Sequence, residues 1–284
     1  MNHTPRVTTV RVEVPVGEEL WITPLSDLHC ESSAFDHDGF RKLMRERNEN
    51  PHHRAFVLGD ASDLVVPVDL RRWRASAQDQ SLAGRDDWLN GAVDLVTERL
   101  TEDGTKFDGI GPGNHEDEFL KRHGVDVTSM LARELRCPRL GYSGIIQYAI
   151  HTKQPNGKVK NRTKMLRILY HHGAWGGRVM KGFGGARDFA RAFDGWQVFC
   201  YGHNHQSTVH RESSFRAGQN GKLIEEPRYF VCTGSWVESY SNDAKHTHYA
   251  ERAGYMPTAR TTPLIRVKVN RSNGNWDLGY TVEM

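Results

Sequence analysis

Between residues 27 and 205 five clusters of Asp, Asn, His and Gly recur, four of them closing a short apolar run and the one at Gly113 a mixed, apolar-leaning run. Asp27-Leu28-His29 follows Leu20-Trp21-Ile22-Thr23-Pro24-Leu25, and Gly59-Asp60 follows Phe56-Val57-Leu58. Gly113-Asn114-His115-Glu116 follows Lys106-Phe107-Asp108-Gly109-Ile110. His171-His172-Gly173 follows the run from Met165 to Tyr170, and Gly202-His203-Asn204-His205 the run from Gln197 to Tyr201. An apolar run closed by glycine and polar residues reads as a buried strand entering a turn at the lip of a sheet, where ligand groups of layered α/β proteins gather. Strand side chains alternate, so Asp-x-His and His-x-His at a strand end are expected to project two donors to one side. Glycine ahead of Asp60, Asn114 and His203 lets the chain turn sharply and leaves room for an ion.

The rest of the pattern frames these turns. Val7 to Val14 alternates as an exposed strand would, and Asp38 to Arg47 reads as a helix stopped by Asn50-Pro51. Residues 68–101 read as mainly helical, two helices broken near Gly84, within a connection spanning about 61–106. Helical patterns follow at 118–122, Asp126 to Cys137 and Ala186 to Phe193. Strands are expected at Ile145 to Ile150 and Met165 to Tyr170 around Asn156-Gly157, then on both sides of Asn220-Gly221. Two more are expected at Leu264 to Val269 and Trp276 to Val282. Early βα units ahead of a β-rich C-terminal part predict one layered α/β domain over residues 1–284, with mixed sheets.

Composition narrows the classes. No apolar run approaches a membrane span, mean hydropathy is −0.65, and the N-terminus lacks the apolar core of a secretory signal. A cytoplasmic protein without membrane contact is therefore expected. A net charge of +3 permits an anionic substrate without arguing for a nucleic-acid coat. Cys30, Cys137, Cys200 and Cys232 are far apart, which predicts free thiols rather than a disulfide framework or zinc ribbon. For Cys30, just after His29, the expected role is a packed small side chain.

Fifteen histidines invite a search for metal ligands, and two Asp, one Asn and several His at strand ends suit borderline or hard divalent cations. His246-Thr247-His248 has no carboxylate companion at a strand end and reads as a solvated loop. His171 and His172 point to opposite faces of a strand, so only one of them can join the cluster. Arg71-Arg72-Trp73-Arg74 reads as a helix face with a half-buried Trp, the other reading being the start of a nucleic-acid groove.

Taken in order, the five clusters resemble the calcineurin-like metallophosphoesterase superfamily, whose pattern is D-x-H, GD, GNH[DE], H and GHxH. The resemblance implies a four-layer α/β/β/α sandwich of two mixed β-sheets flanked by helices. It implies two divalent metal ions, Mn²⁺ first, with Zn²⁺, Fe²⁺ or Ni²⁺ as alternatives. Asp27, His29, Asp60 and His205 would hold one; Asp60, Asn114, His203 and the histidine after Tyr170 the other, with Asp60 bridging. His172 is favoured over His171 by analogy, because His172-Gly173-Ala174-Trp175-Gly176-Gly177-Arg178 resembles a glycine-rich loop of phage and bacterial members.

The implied activity is hydrolysis of a phosphomonoester or phosphodiester by a hydroxide held between the metals. His115 would assist the leaving group, and Asn114, His115 and Arg178, with Lys181, would contact the phosphate-ester substrate. Glu116 and Asp63 would orient ligand imidazoles or serve as turn carboxylates. A DNA or RNA nuclease is the alternative within the superfamily, and a non-catalytic metal-binding scaffold is the alternative outside enzymology. The motifs specify neither the substrate nor the oligomeric state; the loops at 61–106, 173–185 and 236–262 would set specificity.

Overall fold

The apolar runs become strands, and alternation along them decides which core each side chain enters. The computed structural model describes residues 6–66, 77–152, 163–175, 182–218, 221–241, 248–252, 254–272 and 275–284. In chain order the elements are β1 (Val7–Glu13), β2 (Glu19–Leu25), α1 (His37–Asn48), β3 (His53–Val57), α2 (Trp88–Thr101), β4 (Phe107–Ile110), α3 (Asn114–His123) and α4 (Val127–Glu134). They continue with β5 (Ser143–His151), β6 (Lys164–His171), α5 (Phe183–Ala190), β7 (Val198–Tyr201), β8 (Ser207–Ala217), β9 (Leu223–Thr233), α6 (Tyr249–Arg252), β10 (Leu264–Ser272) and β11 (Asn275–Glu283).

One sheet has the order β1-β5-β6-β7-β9-β8, the other β11-β10-β2-β3-β4. Both are mixed. In the first, β6, β7 and β9 run parallel while β5 and β8 are antiparallel to their inner neighbours. In the second, β2, β3 and β4 run parallel and β10 pairs antiparallel with β2. Period-two alternation then sorts the core. On β7, Val198 and Cys200 enter the space between the sheets, while Phe199 and Tyr201 pack outward with Ala186 and Ala190 of α5. On β3, Phe56 faces the other sheet and Ala55 and Val57 face the helices, against Phe40, Met44, Val96 and Leu131. The outcome is two mixed sheets packed face to face and flanked by helices, as the sequence led us to expect.

Three boundaries differ from the sequence reading. Helix α3 begins at Asn114, not near residue 118, because the Glu116 carboxylate accepts the Gly113 amide at 2.8 Å and turns the motif itself into the first helical turn. Between 77 and 87 the chain forms only a 3₁₀ turn, Gln80–Leu82, with left-handed Gly84 (φ 72°) separating it from α2. Helix α5 lies earlier than expected, and Trp196 Nε1 closes its far end by donating to the carbonyls of Ala190 and Phe193. Asn156-Gly157, Asn220, Arg71 to Arg74, Arg178, Lys181, His246 and Thr247 lie outside the described residues.

All four cysteines are free, and Cys30 is a fully buried member of the helix-side core. Among the described residues no helix is long and apolar enough to cross a membrane.

Candidate metal centre

Parallel strands end side by side, so the turns after β2, β3 and β4 meet those after β6 and β7 at one edge of the sandwich. The local backbone there is not the alternating strand expected for Asp-x-His and His-x-His. Among the described residues seven non-glycine residues have positive φ, and five are Asp27 (53°), His29 (48°), Asp60 (49°), His203 (72°) and His205 (54°). Each such residue costs about 1–3 kcal/mol and persists only where surrounding structure over-determines it. Here the amides of Leu28 and His29 both donate to the Asp60 carbonyl, at 2.8 and 3.0 Å, and Asp27 N donates to Gly59 O at 3.1 Å. Ser235 Oγ, from the turn after β9, donates to the Asp27 carbonyl at 2.7 Å. The pairs of donors thus converge through left-handed turns beyond the strand ends. Two glycines make the approach possible: a Cβ on Gly59 would meet the Gly113 backbone, and one on Gly113 would fall on the Asp60 carboxylate.

The side chains form one chain of contacts. Asp27 Oδ1 faces His205 Nε2 at 3.5 Å, and its Oδ2 accepts the His203 amide at 2.8 Å and the Ser26 hydroxyl. His203 Nδ1 lies 2.8 Å from Asn114 Oδ1, which lies 3.1 Å from His172 Nε2. His172 Nε2 is 3.2 Å from Asp60 Oδ2, and Asp60 Oδ1 accepts the His115 amide at 2.9 Å. The rings of His29 and His205 are 5.3 Å apart, and those of His29 and His115 4.7 Å. Three sets of ligand atoms lie within 4.8 Å of one another: Asp27, His29 and His205; His29, Asp60 and His115; Asp60, His172 and His203. Asp60 belongs to two of these sets. All seven residues expected as ligands are therefore gathered at one place, with His115 beside them; Arg178 lies outside the described residues.

The histidine pair resolves geometrically. His172 is fully buried and faces Asp60 and Asn114. His171 turns away: its Nδ1 accepts the Gly173 amide at 2.8 Å, and its ring packs 4.7 Å from Trp175 and 4.8 Å from Phe189.

The carboxylates expected to support imidazoles divide. Asp63 Oδ1 stands 3.2 Å from Nδ1 of both His29 and His115, and the Asp63 carbonyl accepts from His115 Nδ1 at 2.6 Å. Glu116 does something else. It accepts the amides of Asp60 and Ser62, both at 3.0 Å, and of Gly113 at 2.8 Å, stapling two motif loops together. Ser26 and Ser235 also shape the Asp27 turn and were not anticipated. Ser26 borders a motif, but Ser235 lies in a stretch without any local signal.

Burial and charge oppose each other throughout the cluster. For Asp60 burial acts upward, but His115 and His172 outweigh it and hold the carboxyl well below the usual range. Burial acts to lower His115 and His172, yet the Asp60 charge raises them, to about 10 and about 9. His203 and His205 are lowered, burial leading in both; His205 nevertheless keeps 40 % of its side-chain surface exposed. His203 and His205 are thus neutral, ligand-competent donors at pH 7, whereas His29 and His172, both raised, would release a proton on taking up a cation. Asp27 Oδ1 and His29 Nε2 are buried without a hydrogen-bond partner, an arrangement that costs roughly 1–3 kcal/mol per group unless a cation takes them up. Donor type, crowding and these orphaned atoms fit divalent metal binding.

No family model and no curated protein matches the chain. Among solved structures it is similar to vacuolar protein sorting 29 from Cryptosporidium parvum, at 11% identity over 94% of this chain and 98% of that one, TM-score 0.37. It is also similar to a metallophosphoesterase from Sphaerobacter thermophilus, at 14% identity over 87% and 82%, TM-score 0.34. A third is the Pseudomonas putida nuclease MPE, at 11% identity over 86% and 82%, TM-score 0.32. Likenesses this low do not bear on function, which rests on the cluster itself.

Proposed function

We propose that the chain is a metal-dependent phosphoric ester hydrolase of the calcineurin-like type, holding two divalent cations, Mn²⁺ first. The observation that carries this reading is the cluster of donors from five strand-end turns, with Asp60 common to two of its three sets and Asp27 Oδ1 and His29 Nε2 buried without hydrogen-bond partners. Asp27, His29, Asp60 and His205 would hold one cation, and Asp60, Asn114, His172 and His203 the other. When bound, such a pair lends Lewis acidity to a water and to phosphoryl oxygens.

The protein's own groups do the rest. Asp63 fixes His115 through Nδ1, so Nε2 is the nitrogen that exchanges a proton. A histidine oriented through Nδ1 by Asp63 is suited to protonate a leaving oxygen through its other nitrogen. Its amide on Asp60 Oδ1 keeps the imidazole and the shared carboxylate in register. Asn114 presents a neutral oxygen beside His172 and His203, adding a donor without adding charge.

A screen of Mn²⁺, Zn²⁺, Ni²⁺, Fe²⁺ and Mg²⁺ against phosphomonoesters, cyclic nucleotides, aryl phosphodiesters and DNA or RNA tests the proposal. Metal-dependent hydrolysis of at least one ester, abolished in Asp60→Ala, is expected. Turnover confined to polynucleotides, with salt-sensitive binding, assigns the nuclease alternative. Tight metal binding with no turnover of any ester assigns the scaffold and ends the hydrolase reading.

A further inference from the structure

The short segment that follows Asp60 is gripped from two sides by buried carboxylates. Glu116 takes the amides of Asp60 and Ser62, each at 3.0 Å. Across the segment Glu31, 1 % exposed, takes the amide of Leu64 at 3.1 Å through Oε1. Leu64 is left-handed, with φ 50°, a conformation a branched apolar residue adopts only when held there. Asp63 sits between those two anchored amides, and its Oδ1 reaches Nδ1 of both His29 and His115 at 3.2 Å. A buried carboxylate is costly where an apolar side chain would pack, and the Leu64 amide offsets that cost only at Oε1, Oε2 being buried without a hydrogen-bond partner. Glu31 Oε1 thus acts on the backbone of the segment.

We infer that Glu31 is a positioning residue, which holds Leu64 in its left-handed turn and thereby sets Asp63 between His29 and His115. Its effect on turnover rests on the phosphoesterase reading; its effect on the loop does not. Losing the amide bond frees the turn to relax toward φ below zero, drawing Asp63 away from both rings.

Two variants test this. Glu31→Gln keeps an oxygen for the Leu64 amide, and Glu31→Leu removes it. Against the best ester of the screen, E31L is expected to lose kcat by roughly 10–100-fold with KM changed by less than about 2-fold, while E31Q stays within about 3-fold of wild type. In metal-free protein, deuterium exchange over residues 61–66 is expected to rise about tenfold in E31L and to stay near wild type in E31Q. Wild-type exchange and kcat in E31L overturn the inference, as does a loss in E31Q equal to that in E31L. Should E31L not fold, the wild type and E31Q decide, because a Leu64 amide that exchanges like an open loop in either one overturns it. If wild-type protein hydrolyses no ester, the phosphoesterase reading falls and the exchange experiment still decides the role of Glu31.

Discussion

His172 Nε2 lies 3.2 Å from Asp60 Oδ2, with side-chain exposures of 0 % and 2 %. A buried imidazole and carboxylate this close, shared with Asn114, form the centre of the candidate site. His171, its neighbour in sequence, packs instead against Trp175 and Phe189. His172→Ala is therefore expected to lower metal content and activity by at least about 10–100-fold, whereas His171→Phe retains both within a few-fold. Metal analysis of the purified variants beside initial rates checks the pair. The reverse order would return the ligand assignment to His171.

Cation binding should stabilise the fold, because it takes up atoms that are buried without hydrogen-bond partners. At a free Mn²⁺ concentration about 100 times Kd, roughly 2.7 kcal/mol of added stability is expected, and a chelator should remove it. Asp60→Ala should show no such gain. Thermal melts with and without Mn²⁺, for wild type and D60A, read this directly, and an identical rise in both proteins places the ion elsewhere.

His115 is held through Nδ1 by the carbonyl and carboxylate of Asp63, a setting for a proton donor. His115→Ala is expected to keep its metals and lose about 10²–10⁴-fold in kcat on alkyl esters. With an aryl ester, whose leaving oxygen needs no proton, the loss should be much smaller. Equal losses on both ester types would count against proton donation.

Far from the site, His53 gives a pH signature of stability. Its Nδ1 lies 2.6 Å from Asn48 Oδ1 and its Nε2 2.8 Å from Thr23 Oγ1, and burial, then Arg47 and Arg54, lowers its pKa from 6.5 to about 4. The unfolded chain thus takes up the proton before the folded one does. Stability from this group is complete above pH about 6.5 and is lost as pH falls toward about 4, by about 3 kcal/mol in all. Urea unfolding at pH 7 and pH 4 should show that much less acid sensitivity in His53→Gln than in wild type.

Gly113 leaves no room for a methyl group, since its Cβ would occupy the Asp60 carboxylate. Gly113→Ala is expected to destabilise by about 1–3 kcal/mol and to weaken metal binding. Gly104, left-handed at φ 74° where Gly113 is extended, and in open space, provides the contrast: Gly104→Ala carries backbone strain alone and should leave metal affinity unchanged. Melting curves and metal titration separate the two effects.

Sequence by itself determined the strands and the order of their polar endings, because period-two burial and glycine-led turns are local properties written into neighbouring residues, and it named candidate donors at those endings. Asp27, His29, Asp60, Asn114, His203 and His205 were all legible in this way, as was the layered α/β class. Tertiary structure alone decided the rest. Which of two adjacent histidines faces Asp60 depends on what covers each side of β6, and the left-handed turn at Asp27 and His29 depends on carbonyls and a hydroxyl supplied by other loops. The role of Glu116 as a backbone staple, and of Glu31 and Ser235 as supports, arises from contacts between distant segments. Such contacts leave no periodicity behind, since a buried carboxylate or hydroxyl gains its meaning only from the amide or carbonyl that folding brings to it.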